Sequence, residues 1–149
     1  MKLKLYLDSC VYNRPFDFQG QERVALETSA FIYLIDKIEK EDYVIVVSEA
    51  LIYENNINPD EERKNRIHSY FKLADELVRV DDSDVERVIS LKRYGLSDMD
   101  ALHITLAEKC KADYFITCDD EIVRLYKTHQ DSIKVKVLGI IEFIAKEKK

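Results

Sequence analysis

Glycine is scarce in this chain: only Gly20, Gly95 and Gly139 occur. None belongs to a glycine-rich loop after an apolar run, so a phosphate-cradling P-loop and a dinucleotide fingerprint are both missing. There is no G-x-S-x-G turn, which removes support for a serine hydrolase of that kind. The cysteines, Cys10, Cys110 and Cys118, are odd in number and include no C-x-x-C pair. That argues against a disulfide framework and against structural zinc. His68, His103 and His129 have no zinc-ligand spacing either. No apolar run approaches the length of a membrane span, so no membrane partner is expected. The opening Met-Lys-Leu-Lys-Leu-Tyr-Leu-Asp is too short and too soon acidic for a secretory signal, and a cytoplasmic location is the expectation. Positive charge is also in deficit, with 23 Lys and Arg against 29 Asp and Glu, a net charge of −6. This counts against broad, charge-driven nucleic-acid binding. It does not exclude a nucleic-acid substrate, because clustered carboxylates account for part of the excess and a bound divalent ion reverses the sign locally.

What is present is enough for one domain with a real core: 149 residues, 46% hydrophobic and 35% charged. Residues 2–7 read as a first strand, and 8–20 as a loop carrying Asn13, Arg14, Pro15 and Asp17. Residues 21–40 have helical periodicity, with Val24, Leu26, Ala30, Phe31, Leu34, Ile35 and Ile38 forming a broad apolar face. Tyr43-Val-Ile-Val-Val is the continuous β-branched run of a strand buried on both faces. Ser48 can cap a helix reaching about residue 56, and Pro59 can open another over 60–76. A short strand is expected at 77–80, then a helix that starts at Asp82 or Ser83 and stops at Tyr94-Gly95. Further helices are expected from Ser97 or Asp98 to 111, over 120–130 and over 140–148, with strands at 114–117 and 134–138. Alternating strands and helices predict an α/β chain: a three-layer α/β/α sandwich around a five-stranded, mainly parallel sheet, in a single domain over 1–149.

Four carboxylates carry the chemistry. Asp8, Glu54 and Asp119 lie at or just past the ends of apolar runs, and Asp100 opens the stretch Asp100-Ala-Leu-His-Ile-Thr-Leu-Ala. Open parallel sheets bind ligands outside the carboxyl ends of their strands. Acidic residues converging there repel one another unless a cation holds them, and hard oxygen ligands favour Mg²⁺ or Mn²⁺. One aspartate at a strand end is weak support, since Asp is a common helix cap. Several of them ending different strands of one sheet point to metal-assisted phosphodiester chemistry that needs no covalent nucleophile.

The residues that carry this pattern also resemble a known family. Leu5-Tyr-Leu-Asp8-Ser9 is a strand ending in an aspartate and a small hydroxyl residue. Val46-Val-Ser48 is followed by Glu54. Gly95-Leu-Ser-Asp-Met-Asp100-Ala-Leu-His103-Ile is followed by Ala112-Asp-Tyr-Phe-Ile-Thr117-Cys-Asp119. Together they resemble the PIN domain, a nuclease fold that includes the VapC-like toxin ribonucleases, over nearly the whole chain. The extended loop Asp8-Ser-Cys-Val-Tyr-Asn-Arg-Pro-Phe-Asp17 is more similar to a less familiar branch than to the best-known toxins. The resemblance implies a catalytic quartet of Asp8, Glu54, Asp100 and Asp119 around one or two Mg²⁺ or Mn²⁺ ions. Asp8, Asp100 and Asp119 would be metal ligands, with Glu54 and Asp119 holding a second ion or orienting water. Ser9 and Thr117 would support them by hydrogen bonds. Asp98 and Asp120 are alternatives to Asp100 and Asp119. The spacing of Ala101-Leu102-His103 favours Asp100, and Thr117-x-Asp favours Asp119.

The plainer assignments stand beside these. Asn13 and Arg14 either bind substrate RNA phosphate or brace their loop against Asp17. His103 shares a helix face with Asp100, and a packed or hydrogen-bonded histidine is favoured over a catalytic one. Glu27 is either a surface group or a support to the site. Tyr12, Tyr53 and Tyr94 can stack on bases, although packing is the safer reading for most tyrosines. A receiver-type phospho-acceptor fits poorly, since such domains want an aspartate pair after the first strand and a lysine after the last. The functional expectation is a metal-dependent endoribonuclease that hydrolyses RNA by metal-activated water. The resemblance implies a toxin setting, with RNA as substrate, an antitoxin protein as partner and a homodimer as assembly. PIN-like domains also act in RNA processing, and a catalytically weak RNA- or protein-binding module is the alternative.

Overall fold

A computed structural model describes residues 2–148. Strand β1 (Leu3–Leu7) leads into a one-turn helix α1 (Ser9–Asn13), a 3₁₀ turn (Arg14–Phe16) and the long helix α2 (Glu22–Glu39). Then come β2 (Tyr43–Ser48), α3 (Glu49–Asn56), α4 (Glu61–Phe71), β3 (Glu76–Val78), α5 (Asp84–Lys92) and α6 (Asp98–Lys109). The chain finishes with β4 (Tyr114–Thr117), α7 (Asp120–Thr128), a second 3₁₀ turn (Gln130–Ser132), β5 (Lys136–Gly139) and α8 (Ile140–Glu147).

The five strands form one sheet in the order β3-β2-β1-β4-β5, and every pairing is parallel. Side chains on a strand alternate between faces, and the register shows which layer each face meets. Tyr6 and Phe115 are register partners, and both rings share the face that carries His103 of α6. Leu5 and Tyr114 are the neighbouring pair, and Tyr114 meets Phe143 of α8 on the opposite face. Helix α2 packs on α8 and β2, while α6 packs on β4, α3 and α5. The expected three-layer α/β/α architecture therefore forms, with Leu5, Leu7, Ile45, Phe115 and Ile116 fully buried at its centre.

The strand order fixes where a site can form. The chain builds outward from β1 through β2 to β3, then returns to place β4 on the other side of β1. The switch lies between β1 and β4, where successive connections leave in opposite directions and a crevice opens at the carboxyl ends. Asp8 follows β1 there, and Asp119 follows β4.

Three expectations are corrected. The loop expected over 8–20 contains α1, because Asp8 caps it through a Ser9 amide bond of 2.8 Å and Val11 and Tyr12 are fully buried. Tyr12 consequently stands edge-on to Phe31 and Phe71 in the core, where no base can reach it. The helix expected to run to residue 76 stops at Phe71, because Asp75 donates its amide to Ile45 and Glu76 pairs with Val46 at the sheet edge. Local helix-forming preference yields to that ladder.

Candidate functional site

Asp8 is the most confined of the four carboxylates. It sits at the end of the central strand with 5% exposure. One oxygen accepts the Ser9 amide at 2.8 Å; the other accepts the Thr117 hydroxyl at 2.8 Å and the Cys10 thiol at 3.4 Å. Burial lifts its carboxyl above the ordinary aspartate range, opposed by those hydrogen bonds. Thr117, itself fully buried, joins the two strand ends: its hydroxyl donates to Asp8 and accepts the Asp119 amide at 3.0 Å. Asp119 caps α7 by accepting the Glu121 amide at 2.9 Å. The support expected of Ser9 comes from its backbone, whereas its hydroxyl lies 3.4 Å from the Asn13 amide.

Asp100 enters from the other layer, in the first turn of α6. Ser97 caps that helix by accepting the Asp100 amide at 3.2 Å. Desolvation raises the Asp100 carboxyl above its usual value, and the charges of Asp8 and then Asp119 raise it further; the hydrogen bond with Ser97 pulls the other way. Asp100 thus feels the charges of both Asp8 and Asp119 across the switch point. No cation of the chain is hydrogen-bonded to any of the three carboxylates among the described residues.

The neighbouring aspartates face elsewhere. Asp98 has an 82% exposed side chain and pairs with Lys92. Asp120 is 72% exposed and takes both guanidinium nitrogens of Arg23, at 2.5 and 2.7 Å, which holds its carboxyl below the usual range. Asn13 and Arg14 are also committed. The Asn13 amide donates to the Ser9 carbonyl at 2.9 Å, and Arg14 pairs with Asp17 and with Glu27 at 3.0 Å each. Of their two sequence readings, the geometry matches bracing of the loop. Glu27 is not a surface group: it is 2% exposed, between Arg14 and Arg23.

Glu54 lies near the end of α3 with its carboxylate on His103 Nε2. His103 is 1% exposed, and its Nδ1 lies 2.6 Å from the Tyr6 hydroxyl. That hydroxyl lies 2.6 Å from Ser48 Oγ, which also accepts the Leu51 amide at 3.1 Å. Burial pushes the Tyr6 phenol well above its ordinary value, so the group stays protonated. Sequence reasoning named His103 and Glu54 separately, but neither the bond between them nor Tyr6 on the other ring nitrogen. It also left Cys10 without a role, although Cys118 and burial push that thiol up and keep it a donor beside Asp8.

Among the described residues, no three His, Cys, Asp or Glu side chains form a ready-made metal cage. What the arrangement offers is an excess of carboxylate charge at a sheet crevice, with all-oxygen donors. Such a donor set suits a hard cation that keeps part of its water shell.

No family model and no curated protein matches the chain. Solved structures do. A chain of VapBC2 from Rickettsia felis, determined bound to a DNA fragment from their promoter, is 13% identical. Its TM-score is 0.60, and the match covers 92% of this chain and 98% of that one. PAE2754 from Pyrobaculum aerophilum is 16% identical with a TM-score of 0.53, covering 98% of this chain and 97% of its own. At such identities the likeness shows the fold alone, in agreement with the three-layer α/β/α architecture expected from the sequence.

Proposed function

We propose that this PIN-like chain is a metal-dependent endoribonuclease, hydrolysing RNA phosphodiesters at the carboxyl edge of its sheet. The observation that carries the reading is the meeting of Asp8 and Asp119, at neighbouring strand ends, with Asp100, whose carboxyl their charges raise, and with no hydrogen-bonded cation among the described residues to relieve it. An isolated cluster of this kind is a cost to folding that a bound cation offsets. Mg²⁺ takes one or two carboxylates plus waters and phosphate oxygens, so an open group of aspartates suits it better than a closed cage would. Asp8, Asp100 and Asp119 are the residues to hold it. When bound, such an ion supplies Lewis-acid stabilisation to phosphate oxygens and acidity to water.

The chain's own residues supply position. Thr117 and the Ser9 amide keep Asp8 from turning, and Ser97 holds the first turn of α6 so that Asp100 enters the crevice at a set angle. Glu54, partly exposed at the edge of the site, is the group to receive a proton from attacking water. A toxin role with an antitoxin partner is the setting that the VapBC2 likeness supports. The net charge of −6 favours a second reading, a catalytically weak module that binds RNA or protein.

The test is cleavage of a mixed-sequence structured RNA in Mg²⁺, Mn²⁺ or EDTA by wild type and Asp100→Asn. The expected result is metal-dependent cutting that falls by at least about 100-fold in the variant. Equal cutting by both proteins overturns the site assignment. Absence of cutting by wild type, with RNA still retained in a binding assay, favours the binding module.

A further inference from the structure

We propose that His103 is a positioning residue: a directed chain of hydrogen bonds, Ser48 to Tyr6 to His103 to Glu54, sets its tautomer and pins the Glu54 carboxylate in the site. The proposal rests on the reading that Glu54 belongs to the reacting carboxylates. It adds three residues that the acidic pattern does not contain, drawn from β1, the end of β2 and α6.

Proton bookkeeping gives the direction. Ser48 Oγ already accepts the Leu51 amide. Its own proton has one acceptor among the described contacts, the Tyr6 oxygen at 2.6 Å, and Ser48 is fully buried, so no water replaces it. If Ser48 donates to Tyr6, the single Tyr6 proton must go to His103 Nδ1 at 2.6 Å. Nδ1 is then an acceptor, the proton of the neutral ring sits on Nε2, and Nε2–H donates to Glu54 Oε1. Every donor in the chain finds an acceptor. In the reversed order His103 donates to Tyr6 and Tyr6 to Ser48, which strands the Ser48 proton in the core. The neutral form of that order also sets a bare Nε2 lone pair against the Glu54 carboxylate. Buried polar groups left unpartnered are disfavoured, so the first order prevails.

The surroundings hold the chain rigid. The Tyr6 ring stacks on Phe115 at 5.5 Å and meets the His103 ring edge-on at 5.7 Å. Tyr6 and Ser48 have no exposed surface and His103 has 1%, whereas Glu54 keeps a 28% exposed side chain. The chain therefore starts in the core and ends on a carboxylate of α3 that reaches solvent. A glutamate on a helix end has several rotamers available, and a charge-assisted bond from a fixed imidazole selects one. Helix α6 carries Asp100 in its first turn and His103 one turn on, so a single rigid element places one carboxylate directly and another through its histidine.

Two measurements test this. The first is long-range ¹H–¹⁵N correlation of ¹⁵N-histidine-labelled protein, with the three histidines separated by the loss of one signal in His103→Gln. The expected spectrum shows His103 as the neutral Nε2–H form in wild type, and a changed Nδ1 resonance in Tyr6→Phe. An Nδ1–H form, or an imidazolium at neutral pH, overturns the direction of the chain. The second compares kcat and KM for RNA cleavage in His103→Leu, His103→Gln and Tyr6→Phe, each first shown to be folded. His103→Leu is expected to lower kcat about 10- to 100-fold at unchanged KM. His103→Gln, whose amide nitrogen can stand near the Nε2 position, is expected to recover most of the loss. Activity in His103→Leu equal to wild type, or no difference between Leu and Gln, overturns the positioning role. The tautomer needs no substrate: if wild type cuts no RNA the nuclease reading falls, and the spectrum alone then decides the hydrogen-bond chain.

Discussion

Asp100 illustrates how function and stability oppose each other at a single side chain. Its carboxyl is desolvated and faces Asp8 and Asp119, so its folded pKa lies above that of an unfolded aspartate. In the metal-free protein the folded state therefore binds the Asp100 proton more tightly than the unfolded state does. Stability from this group is highest when it is protonated and falls as pH rises from the unfolded aspartate value, about 3.9, through the raised folded value. Asp100→Asn removes the charge while keeping the shape. In EDTA the variant is expected to melt above wild type at neutral pH, by about 1 kcal/mol, the size common when an unfavourable surface charge is relieved. The advantage should shrink as pH is lowered through that window. Denaturant melts of both proteins at several pH values check this; a variant less stable than wild type at neutral pH would show that the helix-terminal position of Asp100 outweighs the repulsion.

At the scale of elements, the carboxylates are placed by caps. Asp8 caps α1, Asp119 caps α7, and Ser97 caps the helix that carries Asp100. Gly95 lies just before, at φ 106°, in the left-handed region that lets the chain turn from α5 toward that cap. Ser97→Ala leaves the Asp100 amide without its side-chain partner and is expected to cost about 1 kcal/mol of stability. It should also weaken RNA cleavage, because the first turn of α6 is then free to fray. A variant with wild-type melting and cleavage would show that the cap contributes nothing to holding Asp100. These elements differ in how plainly the sequence announces them. The β-branched run Tyr43 to Val47 and the apolar face of α2 carry strong periodic signals, and both elements form where those signals lie. Helix α1 has five residues, too few for any period, and exists because Val11 and Tyr12 reach the core. The end of α4 is hidden for a different reason: the ladder that captures Asp75 and Glu76 is made by β2, far away in sequence.

At the scale of the whole molecule, the strand order brings the pieces together, and strand order leaves little trace in a sequence. Asp8 and Thr117 are 109 positions apart, yet they share a hydrogen bond because β1 and β4 are neighbours. His103 and its partners Glu54 and Tyr6 are 49 and 97 positions apart. The acidic residues were legible as residue types at strand and helix ends, whereas the relay behind Glu54 was not, since Tyr6 read as an ordinary strand residue and Ser48 as a helix cap. Motif spacing already favoured Asp100 over Asp98 and Asp119 over Asp120, and the structure adds the physical difference, Lys92 beside Asp98 and Arg23 beside Asp120.

That distinction gives the most direct test of the central claim, that Asp8, Asp100 and Asp119 form a cation site. Mn²⁺ would be titrated calorimetrically into wild type, Asp100→Asn, Asp98→Asn and Asp120→Asn. Wild type, Asp98→Asn and Asp120→Asn are expected to bind alike, and Asp100→Asn to lose affinity by about 10-fold or more. Undiminished binding by Asp100→Asn, or a loss confined to Asp98→Asn or Asp120→Asn, would contradict the account.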